Sequence, residues 1–159
     1  MFTKFLKQVK NAKGFTLVEL LAVIVILGII AAIAVPSVSG VIAKSKKDAT
    51  VSNAEQLIEG ARLLVTTDNV DVSDGVDINV YSSGDNQKGL EEEGFIEDGL
   101  VDTTGEAYDS SSHVHVEEGE DGKVVYSVYL KGSKYQIGSS SELVKRKDLA
   151  RDKVTKVSE

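Results

Sequence analysis

The chain has 159 residues, no cysteine and a net charge of −7. That length allows one ordinary domain plus an appendage, and the lack of thiols excludes disulfides, thiolate metal sites and cysteine nucleophiles. The acidic balance counts against non-specific nucleic-acid binding, which needs clustered Lys and Arg, and favours solubility outside a cell.

The charge is unevenly spread. Residues 1–14 hold Lys4, Lys7, Lys10 and Lys13 and no acid, so without them the 18 bases become 14 against 25 acids, a net −11. From Asp48 to Asp121, 20 acids face two bases, Arg62 and Lys88; from Gly122 onwards nine bases face four acids.

Next comes Lys13-Gly14-Phe15-Thr16-Leu17-Val18-Glu19, followed by an apolar run of 16 residues, Leu20 to Val35. Phe15 to Val35 would span roughly 30 Å as a helix, close to a hydrocarbon core. A carboxylate at the mouth of such a segment costs about 2.5–3.5 kcal/mol on insertion scales, so Glu19 needs a partner. Cutting after Gly14 would supply one, a free ammonium on Phe15 one helical turn away. The rival is a conventional secretory signal cut after Ala34, at Ala32-Ile33-Ala34. Against it stand the length of the run, Glu19 at its start and Pro36 just beyond the cut. Lysines on both sides, with Lys44, Lys46 and Lys47 following, leave orientation undecided by charge.

Pro36 removes a backbone donor and is expected to kink the helix. Val51, Ala54, Leu57, Ile58, Ala61, Leu64 and Val65 then recur at spacings of three and four, an amphipathic stripe. We therefore expect one helix from about Phe15 to Thr67, apolar all round in its first half and on one side in its second. Residues 68–94 read as loop, with a short strand within Asp77–Ser82, a turn at Ser83-Gly84-Asp85-Asn86, and a helical turn or two over Asn86–Glu93 ended by Gly94. Phe95 and Ile96 are expected in the core. Alternation over 113–117 and Val124–Leu130, with a turn at Glu118–Gly122 and a third strand around Tyr135 and Ile137, predicts antiparallel sheet. Residues 139–159 are polar and basic. Ser139 with Glu142 has the spacing of a capping box, while the composition suits a frayed or disordered tail; as a basic surface it could instead dock on the acidic body of the next subunit.

Two metal candidates follow from spacing. Asp71, Asp74 and Asp77 are weak calcium candidates in an oxygen-rich loop. His113, His115 and Glu117 share one strand face and are weak zinc candidates. The expected reading of both is a solvated surface with no metal and no cofactor. No nucleophile motif, phosphate loop or acid–base pair is present, so the chain reads as a non-enzyme.

The heptapeptide with its apolar tail resembles the prepilin leader and N-terminus of type IV pilins and pseudopilins, over about residues 10–67. That resemblance implies an α+β fold: a long N-terminal helix packed under an antiparallel sheet of three to four strands. It implies a leader at 1–14, a transmembrane and fibre-core half-helix at 15–43, a globular domain at 44–138 and the tail at 139–159. It also implies that a prepilin peptidase/methyltransferase cuts between Gly14 and Phe15 and N-methylates Phe15, and that Glu19 neutralises the Phe15 ammonium of a neighbour on assembly. The implied partners are further copies in a helical fibre, an assembly platform and ATPase, minor pilins and the cytoplasmic membrane, with the C-terminal domain outside and no direct nucleic-acid binding. Many pilins of bacteria with an outer membrane carry a disulfide near the C-terminus; its absence leans towards a Gram-positive type. Where relatives often hold an Asp-Pro-Trp-Gly-like element, this chain has Asp102-Thr103-Thr104-Gly105. The leading expectation is a pilus subunit for adhesion, twitching motility or DNA uptake; the alternatives are a pseudopilin of a type II secretion or competence machine, and a conventionally secreted or anchored binding module.

Overall fold

A computed structural model describes residues 16–81 and 89–157. The leader, Gly14, Phe15 and the 83–86 turn cluster lie outside the described residues. The chain divides into two compact units between Val41 and Ile42.

One helix, α1, runs Leu17–Asp68 with Pro36 inside it. Pro36 has no N–H to offer the preceding turn, and nearby the Ser39 hydroxyl donates to the Val35 carbonyl at 3.0 Å. In the first unit the large apolar side chains from Leu17 to Val41 are 42–79% exposed, so no face of the helix is covered. This stretch is long and apolar enough to cross a membrane. In the second unit the helix buries Thr50, Ala54, Leu57, Ile58, Gly60, Ala61 and Leu64, which is the expected stripe with Val51 and Val65 half-buried at its margins. Asn69 takes φ 49° and ends the helix.

The stripe lies under an open six-stranded antiparallel sheet. The strands are β1 Val76–Asn79, β2 His113–Glu118, β3 Val124–Lys131, β4 Tyr135–Ile137, β5 Val144–Lys145 and β6 Val154–Lys156. The order is β1-β2-β3-β4-β6, with β5 beside β3. Alternation in β2 sends Val114 and Val116 inward and leaves His113, His115 and Glu117 half-buried on the other face. Ile78, Val114, Val116, Val128, Leu130, Ile137 and Val154 close the core against Leu57, Ile58 and Ala61. Burying each such aliphatic side chain contributes about 1.5–3 kcal/mol relative to exposure.

The α+β architecture agrees with expectation, but the sheet has six strands rather than three or four. Two of the added strands come from residues 139–157, expected as a frayed tail. Here β5 pairs with Ser127 and Val128, β6 pairs with all of β4, and two 3-10 turns, η1 Arg146–Asp148 and η2 Arg151–Lys153, lie between them. Ser139 and Glu142 do bond, the Glu142 N–H donating to the Ser139 hydroxyl at 3.0 Å. They close a tight turn joined by a reciprocal backbone bridge, however, and cap no helix. Among the described residues, Leu90–Gly94 is turn rather than helix. Ile96 is buried and Phe95 half-buried, both seated on α1 at Gly60. A Cβ there would come within 2.7 Å of Ile96 Cγ2, so only glycine permits that approach.

Candidate functional site

Thr16 and Glu19 build the head of α1. Thr16 is the N-cap: its carbonyl accepts the Leu20 N–H at 3.1 Å, the first helical bond. Its hydroxyl lies 3.2 Å from the Glu19 N–H, which donates to it. Glu19 reaches back, and its Oε2 accepts the Thr16 N–H at 2.9 Å and the Thr16 hydroxyl at 2.7 Å. This is a reciprocal capping box, satisfying donors that a helix start otherwise leaves orphaned. The carboxylate also lies at the positive end of the helix macrodipole. Sequence reasoning took Glu19 to need an ammonium and overlooked the Thr-x-x-Glu spacing directly before an apolar run, the signal that reports this box. Both bonds use Oε2; Oε1 accepts no bond from the described residues. Gly14 and Phe15, the expected processing pair, are outside the described residues.

The calcium and zinc candidates meet at Asp77, which contacts both His115 and His113. Asp71 Oδ1 accepts the Ser73 N–H at 3.0 Å and its hydroxyl at 2.7 Å. These two bonds hold its carboxyl below the usual range. Asp77 lies opposite His115 across β1 and β2, with 2.6 Å between Oδ1 and Nδ1, and Asp74 is exposed in the preceding turn. His113 and His115 do share a face with Glu117, but His113 Nδ1 bonds the Ser111 carbonyl at 2.8 Å and its ring meets Tyr129 edge-on. His115 Nε2 stays 3.8 Å from Glu117 Oε2. Among the described residues no three His, Asp or Glu side chains are gathered for a metal ion.

Two carboxylates that sequence reasoning did not single out organise the second unit. Asp102 is buried, and burial alone would raise its pKa. Hydroxyl and amide bonds from Ser133 and Thr104 at 2.6–2.8 Å outweigh that and hold the carboxyl far below the usual range. Asp109 is pulled to about 2 by the Ser111 hydroxyl and amide and by Lys131. Together they tie the loop before β2 to the β3–β4 turn. Burial pushes the Tyr108 phenol up to about 12. Its oxygen accepts a bond from Asn53 Nδ2 at 2.7 Å, fixing the same loop to α1.

Residues 144–157 fold back on their own helix. Arg146 pairs with Glu59, Arg151 pairs with Asp48, and Lys47 Nζ donates to the Val154 carbonyl at 2.6 Å. The Arg151 hydrogen bond holds the Asp48 carboxyl low. The basic residues expected to reach another molecule are thus partly spent within the chain.

Residues 9–35 match a family model described as a prokaryotic N-terminal methylation motif. Over 99 residues the chain is 38% identical to a protein named "Fimbrial protein" from Moraxella nonliquefaciens, covering 56% of this chain and 61% of that relative. No solved structure matches.

Proposed function

We propose that this chain is a member of the type IV pilin family and the structural subunit of a membrane-derived pilus-like fibre. The observation that carries this reading is the uncovered apolar half of α1 headed by Glu19, inside the matched residues 9–35. The 15 large apolar side chains exposed from Leu17 to Val41 are untenable in water. They need lipid before assembly and like helices after it. The peptidase cut after Gly14 would leave the Phe15 ammonium. Glu19 would then serve two partners, its own Thr16 through Oε2 and the ammonium of a neighbouring copy through Oε1. A copy docked out of axial register would bury one charge unpaired, and removing one partner of a buried pair costs about 3–5 kcal/mol.

Two variants separate the roles. Glu19→Gln keeps an oxygen for the cap but loses the charge; Thr16→Ala loses the hydroxyl but keeps the charge. We expect Glu19→Gln to be cut normally at Gly14 and to lower recovered fibre by about tenfold or more. Thr16→Ala should lower it far less, because the Thr16 backbone N–H still bonds Glu19. Fibre yields at the level of the unmodified chain from Glu19→Gln would sink the pairing argument. The intact mass of the mature chain tests the pathway itself: a start at N-methylated Phe15 supports it, and a start at Val35 refutes it.

A further inference from the structure

β3 is paired with β2 along most of its length, yet its other edge is only half used. β4 meets Leu130 and Lys131, and β5 meets Ser127 and Val128. Among the described residues no strand meets Val124, Val125 or Tyr126 on that side. The reason is local: the chain leaves β5 for the 3-10 turn η1 at Arg146 instead of continuing alongside β3.

Over this open half-edge lies a groove of about 480 Å³. Val124, Val125 and Tyr126 give it an apolar side, with Val124 43% exposed. Arg62, Lys145 and Lys147 line it too and are exposed. Arg146 also lines it but is engaged with Glu59. Lys145 and Lys147 have no carboxylate partner among the described residues. Uncompensated cations beside an apolar wall favour an acidic occupant.

The chain itself carries an acidic stretch of that kind, folded as turns and bends. Residues 91–98 read Glu-Glu-Glu-Gly-Phe-Ile-Glu-Asp, without a base. The segment is held in place: Glu91 Oε1 accepts the Gly99 N–H at 2.5 Å, the Phe95 N–H donates to the Leu90 carbonyl at 2.9 Å, and Ile96 packs at Gly60. Glu92, Glu97 and Asp98 remain exposed. A segment already ordered loses little conformational freedom on binding.

We propose that the groove between β3 and η1 binds the acidic 91–98 segment of a second copy of this chain. The inference rests on the fibre reading and adds a second, surface contact to the helical one. The two surfaces are different, so the contact is heterologous. Each copy offers its groove to one neighbour and its acidic segment to another, and the series runs on as a filament instead of closing as a dimer. The charges supply orientation and register, while the apolar floor excludes water.

The absence of cysteine makes the test clean. Lys147→Cys and Glu92→Cys are combined in the full chain, and fibres sheared from cells are mildly oxidised. We expect a ladder of covalent multimers of this chain, with no ladder from either single variant. Fibres that form normally but stay monomeric on oxidation overturn the proposal, as does a product that stops at the dimer or one joined to a different acidic protein. In parallel, Lys145→Glu with Lys147→Glu should lower fibre recovery about tenfold, equivalent to about 1.4 kcal/mol. Adding Glu92→Lys and Glu97→Lys to the same chain should restore it. No loss, or a loss that the second pair does not restore, also overturns the proposal. If the unmodified chain yields no fibre, the fibre reading fails first and separately.

Discussion

The two parts of α1 share a backbone and differ in what their side chains are for. From Leu17 to Val41 the apolar residues face outward on every side. From Ile42 to Asp68 they narrow to the stripe Ala54, Leu57, Ile58, Ala61 and Leu64, buried to 8% exposure or less. The first part carries its hydrophobic energy unspent and available to other molecules; the second has used its own on the sheet. A substitution in the first part should therefore alter association and leave the fold alone, and one in the second should do the reverse.

The largest effect expected on the fold tests this directly. Leu57→Ala should destabilise the second unit by about 3 kcal/mol, whereas Leu21→Ala should leave its thermal unfolding unchanged. A melt followed through tyrosine near-UV circular dichroism, in detergent, reads both. Equal shifts for the two variants would erase the contrast. Asp102→Ala should follow closely, at about 2–3 kcal/mol, because the Ser133 and Thr104 donors lose a charged acceptor at a buried point. Gly60→Ala should cost about 1–3 kcal/mol as Cβ pushes against Ile96, and a melt unchanged by it would remove the close-approach argument.

Acid should sharpen the picture further. Asp102 and Asp109 titrate lower when folded than the value of about 4 for a free carboxylate. Their contribution is therefore complete above that unfolded value and is lost as pH falls towards the folded one. Stability of the second unit should be flat from pH 7 to about 5 and fall between about pH 4 and 2. Asp102→Asn should flatten that fall, and an undiminished slope in the variant would assign it to other groups. Smallest is Arg151→Ala: its pair with Asp48 is exposed and screened, so the melt should barely move.

Much of this was readable in advance because the signals were local. The stripe at spacings of three and four located the buried face of α1. Alternation located β2, β3 and β4, and the Gly14-Phe15-to-Glu19 spacing pointed to the head of the helix. What escaped was either short or distant. β5 and β6 hold one valine each, Val144 and Val154, among charged neighbours, and they become strands only because β3 and β4 offer them an edge. A basic residue in a polar run does not announce that its carboxylate lies 87 or 103 positions earlier, as Glu59 and Asp48 do for Arg146 and Arg151. The Asp102 knot is of the same kind, since Thr104 is a local turn partner whereas Ser133 lies 31 residues away. The capping box at Thr16 was the exception, a local pattern passed over because Glu19 had been given another task.

The bond from Lys47 to the Val154 carbonyl joins residues 107 apart, and it has a consequence for how the molecule is made. The second unit begins with the residues around Lys47 and is closed by β6. During synthesis its core must stay unfinished until residues 154–156 have emerged, since β4 lacks its outer neighbour before then. Long sequence separation makes such closure slow. The apolar half of α1, by contrast, is made early and needs nothing downstream. The order of synthesis thus completes the apolar half of α1 first and the second unit last.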